Sequence, residues 1–220
     1  MSEQTESEQT ESEQTESEQA EAALAAIAAR RSIRRFQARP VEPEKLRAVL
    51  DAAVLAPSAA NAQPWAFVVV QAPEVRARLA DLILEAHDRY YSDVRVTAPG
   101  ETMAELRGRA AGLGGAPAYV VVCVHRRRRY VRPGHESRTR PWDLVSAAAA
   151  MENLLLAASA LGLGACWLGV PTLRAEALKA LLGIPDDAEV IGVTPLGYPD
   201  EAPGPRPRLP LEEVVHHDRW

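Results

Sequence analysis

Residues 30–70 read RRSIRRFQARPVEPEKLRAVLDAAVLAPSAANAQPWAFVVV. Three structural signals follow one another here. Pro43 opens a run in which Leu46, Val49, Leu50, Ala53 and Val54 recur at helical spacing, so an amphipathic helix is predicted. Pro57 ends it. The loop Pro57-Ser58-Ala59-Ala60-Asn61-Ala62-Gln63-Pro64-Trp65 feeds an apolar strand at Phe67–Val70, as its composition dictates. A basic cluster (Arg30, Arg31, Arg34 and Arg35 around Ser32) precedes all three.

Working outward, Ala22–Arg30 predicts a short helix, as do Pro73–Tyr91 and Met103–Ala111. AYVVVCV at Ala118–Val124 is continuously apolar, the mark of a central strand with both faces covered. A basic loop is expected from His125 to Arg140, then a long alanine-rich helix from Asp143 to Leu161. That helix is apolar almost all round and therefore buried; Trp142 reads as core or dimer interface. Leu173–Leu182 predicts a helix stopped by Gly183, and Glu189–Leu196 a strand. The order does not alternate regularly between strand and helix. An α+β layer fold, with helices packed on a small mixed sheet, is the expectation.

Length fits one domain: 220 residues suffice for one sizeable core. Residues 2–21 repeat SEQTE three times and end in SEQAE, with eight glutamates and no base. They read as a disordered acidic tail (1–21), with a solvated helix as the alternative. Without those glutamates, 25 Lys and Arg face 22 Asp and Glu, so the remaining chain (22–220) is about +3 rather than −5. That balance argues against nucleic-acid binding. No apolar run approaches the roughly 20 residues of a membrane span, and the N-terminus lacks the pattern of a signal peptide. Cys123 and Cys166 stand in apolar surroundings, so buried thiols in a reducing cytoplasm are expected.

The chemistry-bearing residues fall in four places. Arg30, Ser32 and Arg34 alternate, so an extended chain would point all three one way. Guanidiniums and a hydroxyl there suit a phosphate; a solvated basic turn is the competing reading. The amides of Asn61 and Gln63 both donate and accept, which suits the mixed edge of a flat heterocycle. Arg206 and Arg208 alternate in an extended proline-rich segment, either a second grip on the phosphate or a surface-wrapping tail. ALGLGACWLG, at 160–169, supplies the fourth.

RRSIRRF, APSAANAQPW, ALGLGACWLG and LGYP…RPRLP, in that order, resemble the FMN-dependent nitroreductase family over residues 22–220. The resemblance implies a three-layer α+β sandwich, an intertwined homodimer, and two FMN molecules in its interface. It implies that Arg30, Arg31 and Ser32 hold the phosphate and ribityl, with Arg34 at the pyrimidine edge of the ring. Pro57, Ser58, Ala59, Asn61 and Gln63 would meet the flavin of the partner subunit. Leu168 and Gly169 would lie near N5, and Arg206 and Arg208 would return to the phosphate. NAD(P)H would be the electron donor, and a nitroaromatic, quinone or similar small molecule the acceptor, in ping-pong order. Hydride would move through N5, so no protein acid or nucleophile is demanded. Relatives with other flavin chemistry (dehalogenation, enal reduction, flavin-consuming oxygen chemistry) and a non-catalytic flavin binder are the alternatives.

Residues 73–118 carry no transferable motif. The resemblance assigns that region to the substrate pocket or its lid, with Ser92–Gly100 the lid-like stretch. His87, Tyr90 and Tyr91 are candidates to line it, against a reading as ordinary helix residues. The run His125–Arg129 is a solvated loop or an attractor for the 2′-phosphate of NADPH. Gly162-Leu163-Gly164 follows a helix rather than a strand and so fails as a dinucleotide fingerprint. His216 and His217 are adjacent, point apart and lack a carboxylate partner, so no metal site is expected.

Overall fold

The computed structural model describes residues 17–93, 102–128, 134 and 136–220. Six helices and four strands follow one another among these. Helix α1 covers residues 17–29 and α2 Pro43–Val54. Strand β1 is Trp65–Val70, followed by α3 (Pro73–Asp93) and α4 (Met103–Leu113). Next come β2 (Ala118–His125), α5 (Glu136–Ala160) and β3 (Gly164–Ala165). Helix α6 (Ala175–Leu182) and β4 (Ala188–Gly197) complete the set.

The sheet order is β1-β2-β4-β3. Trp65 faces Val124 and Val70 faces Tyr119, while Ala118 faces Leu196. Strand β2 is interior and buried from Ala118 to Val124. Successive side chains leave it on opposite faces. Ala118, Val120 and Val122 pack with Val49 of α2 and Met151, Leu154 and Ala158 of α5. Tyr119, Val121 and Cys123 pack with Leu79 and Ile83 of α3 and Leu178 of α6. Helices therefore cover both faces, giving the expected three layers. This double burial explains why AYVVVCV lacks any polar alternation.

Local chemistry sets several boundaries. Pro43 starts α2, and Leu46, Val49 and Ala53 form its buried stripe. Thr102 and Glu105 form a reciprocal capping box that starts α4. Gly183, at φ 66°, ends α6 in the left-handed conformation.

Some expectations need correction. The strand pairings are all antiparallel rather than mixed; the single parallel contact is an isolated bridge between Ser32 and Ala165. Helix α5 begins at Glu136 and runs through Pro141, so the basic loop ends before the expected Arg140. Trp142 is half exposed and is no part of this chain's core. Pro141–Ala160 does have the length and composition of a membrane span, but Ala147, Ala150, Met151, Leu154 and Ala158 are fully buried in the fold. Residues 17–21, assigned to the acidic tail, are helical; residues 1–16 and most of the lid-like stretch (94–100) lie outside the described residues. Cys123 and Cys166 are free buried thiols, as expected.

Candidate functional site

After α1 the chain runs extended past the edge of the sheet. Ile33 N–H donates to Ala165 (3.0 Å) and Gln37 N–H to Tyr198 (2.9 Å). Ile33 is buried and anchors the segment. Two glycines permit this close approach. A Cβ on Gly164 would stand 2.7 Å from the Ile33 side chain, and one on Gly112 of α4 would stand 2.8 Å from the Arg34 carbonyl oxygen.

The C-terminal segment clasps the same stretch. Glu201 Oε1 accepts hydrogen bonds from Arg34 N–H (2.5 Å) and Arg35 N–H (3.1 Å). Its other oxygen lies 3.4 Å from Arg35 Nε. This carboxylate turns the proline-rich tail back over the basic cluster. Arg206 and Arg208 thereby share one cavity with Arg30, Arg31, Ser32 and Arg34, of about 330 Å³. Five guanidiniums and a hydroxyl face it, and no carboxylate lines it.

The expected alternation is only part of the arrangement, because Arg31 also reaches this cavity. It does so by curling back toward α1, donating to the carbonyls of Ala28 (2.6 Å) and Arg30 (2.9 Å). Arg30 Nε lies 3.2 Å from Glu152 Oε1, yet the angle gives no hydrogen bond and the buried donor has no other partner. A buried charged donor left unbonded is costly. A dianionic group in the cavity would relieve it, and the donor set fits a phosphate.

Arg34 also lines a second cavity, of about 210 Å³. Its walls include His87 and Tyr91 of α3, then Cys166, Leu168 and Gly169. Leu168 is fixed by a reciprocal pair of backbone bonds with Val193, 2.9 and 3.0 Å. Open space lies beside Gly169, where an added Cβ would meet nothing within 4 Å. Of the three α3 candidates, His87 is buried against this cavity and Tyr91 borders it, while Tyr90 lies outside. Burial lowers the pKa of His87, the Ile83 carbonyl opposes that, and the nearby Arg34 cation adds to it. Burial raises the Cys166 thiol, against the pull of Arg34 and Ser32.

The Pro57–Gln63 loop joins neither cavity. Ser146 Oγ of α5 accepts from Ala59 N–H (3.2 Å), and Ser58 Oγ accepts from Gln63 N–H (3.0 Å). Ala60, Asn61 and Gln63 all have positive φ, at 51°, 55° and 48°. Within one chain, Pro57, Ser58, Ala59, Asn61 and Gln63 are not brought together with the arginines. A groove of about 410 Å³ between α3 and α6 carries none of the predicted residues and mixes Arg78 with Asp81 and Glu85.

Sequence reasoning missed Glu201, Glu152, Cys166, Gly112 and the positioning role of Gly164. The basic run after β2 and the C-terminal histidines make contacts at the surface. Arg127 Nε pairs with Asp187 Oδ2 at 2.5 Å, and His216 stacks on Trp220 with ring centroids 4.2 Å apart. No group of metal-ligating residues occurs among the described residues.

The model of the nitroreductase family matches residues 27–198. The chain belongs to the nitroreductase family. It is 36% identical over 210 residues to the NADH dehydrogenase of Thermus thermophilus, covering 88% of this chain and 94% of that one. A Desulfovibrio desulfuricans protein solved in complex with FMN is 31% identical, with a TM-score of 0.67 over 90% of this chain and 97% of that one. The NADPH:FMN oxidoreductase of Vibrio harveyi, complexed with NAD+, is 27% identical, with a TM-score of 0.71 over 90% of this chain and 78% of that one.

Proposed function

We propose that this nitroreductase-family chain is an FMN-dependent NAD(P)H oxidoreductase that reduces nitroaromatic, quinone or similar acceptors. The carrying observation is the pair of cavities that share Arg34, one strongly cationic and one of mixed lining, with His87, Tyr91 and Trp167 beside Leu113, Leu168 and Val170. A phosphate and a flat ring on one ligand need that succession of environments.

FMN, when bound, supplies hydride exchange at N5. The chain's own residues do the rest. Arg30, Arg31, Ser32, Arg206 and Arg208 hold the phosphate end through charge-assisted bonds. Arg34, placed by Glu201, presents a fixed positive charge to the ring end, where preorganised charge favours the reduced cofactor. Leu168 and Gly169 form a smooth wall with free space beside it. Donor and acceptor use that space in turn, which makes the kinetics ping-pong.

The reading includes a homodimer in a cytoplasmic setting. The loop from Pro57 to Gln63 faces the partner's cofactor rather than its own chain's. Its neighbours Leu55, Trp142 and Val145 are 80%, 49% and 67% exposed, an apolar surface suited to a second copy.

The test is direct. The purified protein is yellow, releases FMN on denaturation, and is bleached anaerobically by NADH or NADPH. Parallel double-reciprocal lines follow when donor and quinone are varied. Released FAD, a colourless protein, or a flavin that resists both nicotinamides would overturn the proposal.

A further inference from the structure

His87 is the one ionisable ring buried in the wall of the smaller cavity. Its Nδ1 lies 2.7 Å from the Ile83 carbonyl oxygen, one helical turn earlier on α3. A carbonyl can only accept, so that bond fixes the proton on Nδ1. The atom left for the cavity is Nε2, and in the neutral ring it is an acceptor with a lone pair. Burial and the Arg34 cation both favour the neutral ring. Ala110, Leu113, Leu168 and Val170 supply the apolar part of the wall, and Arg34, Tyr91, Cys166 and Trp167 the rest of its polar side chains. Arg34 and Trp167 can only donate, and Tyr91 and Cys166 carry protons of their own, so Nε2 is the side-chain acceptor here without a proton, and a ligand that lacks a donor leaves it unpaired.

We infer that His87 is a specificity-determining residue whose Nε2 accepts a hydrogen bond from an aromatic hydroxyl, so that the cavity favours phenolic and hydroquinone-type ligands over nitroarenes that carry no donor. This rests on the assignment of the cavity to the acceptor site. A quinone that gains hydride and a proton leaves as a hydroquinone carrying two O–H donors, and His87 holds that product edge. Arg34, which lines the same cavity, presents donors only. The two groups therefore discriminate between the two ends of an oxygenated ring.

The experiment uses the oxidised holoprotein and reads the shift in its flavin absorbance as 4-hydroxyacetophenone or 4-methoxyacetophenone is titrated in. The methoxy probe keeps the ring and the ketone but carries a methyl group in place of the hydroxyl proton, so it lacks the donor. Wild type binds the hydroxy probe more tightly than the methoxy probe. His87→Leu weakens the hydroxy probe about tenfold, the scale of one buried hydrogen bond, and leaves the methoxy probe within about twofold. His87→Gln, whose side-chain oxygen can accept, recovers part of the preference and serves if the leucine variant does not fold. Equal weakening of both probes, or no change in either, refutes the role of His87 while leaving the acceptor site standing. No spectral shift with either probe in wild type removes the assignment of the cavity itself.

Discussion

Gly112→Ala tests how closely the fold positions Arg34. The new methyl carbon would stand 2.8 Å from the Arg34 carbonyl oxygen and 3.0 Å from Arg35 Cγ. The Arg35 side chain can rotate away. The carbonyl cannot, because Glu201 grips the Arg34 and Arg35 amides and Ala165 grips Ile33. Relief requires moving it from 2.8 Å to the 3.4 Å of ordinary contact, beyond the roughly 0.5 Å within which a binding group must be held. Two energies oppose each other. Alanine favours the helix by about 1 kcal/mol, while overpacking costs about 1–3 kcal/mol. Stability of the cofactor-free protein thus falls by about 2 kcal/mol at most.

FMN affinity has no such compensation. Displacing Arg34 weakens a charged hydrogen bond worth about 1.5–3 kcal/mol, so the dissociation constant rises about tenfold. Gly108→Ala is the control, since that position on the same helix has nothing within 4 Å. It gains the helical propensity, raises the melting temperature and leaves FMN binding unchanged. Fluorescence titration of FMN and thermal unfolding with and without cofactor give all four numbers. An affinity within twofold of wild type in Gly112→Ala, or the same loss in Gly108→Ala, refutes the argument.

The paired change Arg206→Ala with Arg208→Ala raises the FMN dissociation constant by about fivefold to thirtyfold, at about 1 kcal/mol or less per partly solvated charge, and flattens its dependence on salt. Equal affinity in the double variant would place the arm away from the phosphate. His87 makes stability depend on pH. Its folded pKa lies below the ordinary value of 6.5, so the unfolded chain takes up the proton first as pH falls. Stability contributed by the neutral ring is present above about 6.5 and is lost below it, by up to about 1.4 kcal/mol per pH unit. Thermal melts of wild type and His87→Gln from pH 7.5 to 5.5 diverge accordingly; parallel curves would contradict the burial of an uncharged imidazole.

What the sequence displayed and what it hid follow from the range of each interaction. The core was legible because β2 is buried on both faces and α2 on one, and both facts are written in the spacing of apolar residues. The direction of the strands was not, since a run such as AYVVVCV is equally apolar in parallel and antiparallel surroundings. The start of the long helix was hidden because the arginine-rich run up to Arg140 read as a loop, yet the helix already runs from Glu136. Glu201 was invisible for another reason. Its partners are the amides of Arg34 and Arg35, 167 and 166 residues earlier, and backbone amides leave no mark on a sequence. Gly112 and Gly164 sit in glycine-rich strings that read as breakers, whereas their use is close approach to the Arg30–Arg35 segment.

The loop from Pro57 to Gln63 carries the strongest structural argument for a second copy. Three non-glycine residues there hold positive φ, a conformation that costs on the order of 1 kcal/mol each. Bonds from Ser146 and Ser58 keep the loop in that shape, so the fold maintains the strain rather than tolerating a loose turn. Strain of this kind gathers where a chain holds groups ready for a ligand. Yet neither cavity of the same chain includes the loop. The loop does adjoin Leu55, Trp142 and Val145, which one chain leaves open to water. A second copy packed on that apolar surface would give the exposed Asn61 and Gln63 side chains something to meet. The same packing would complete the flavin site from both chains.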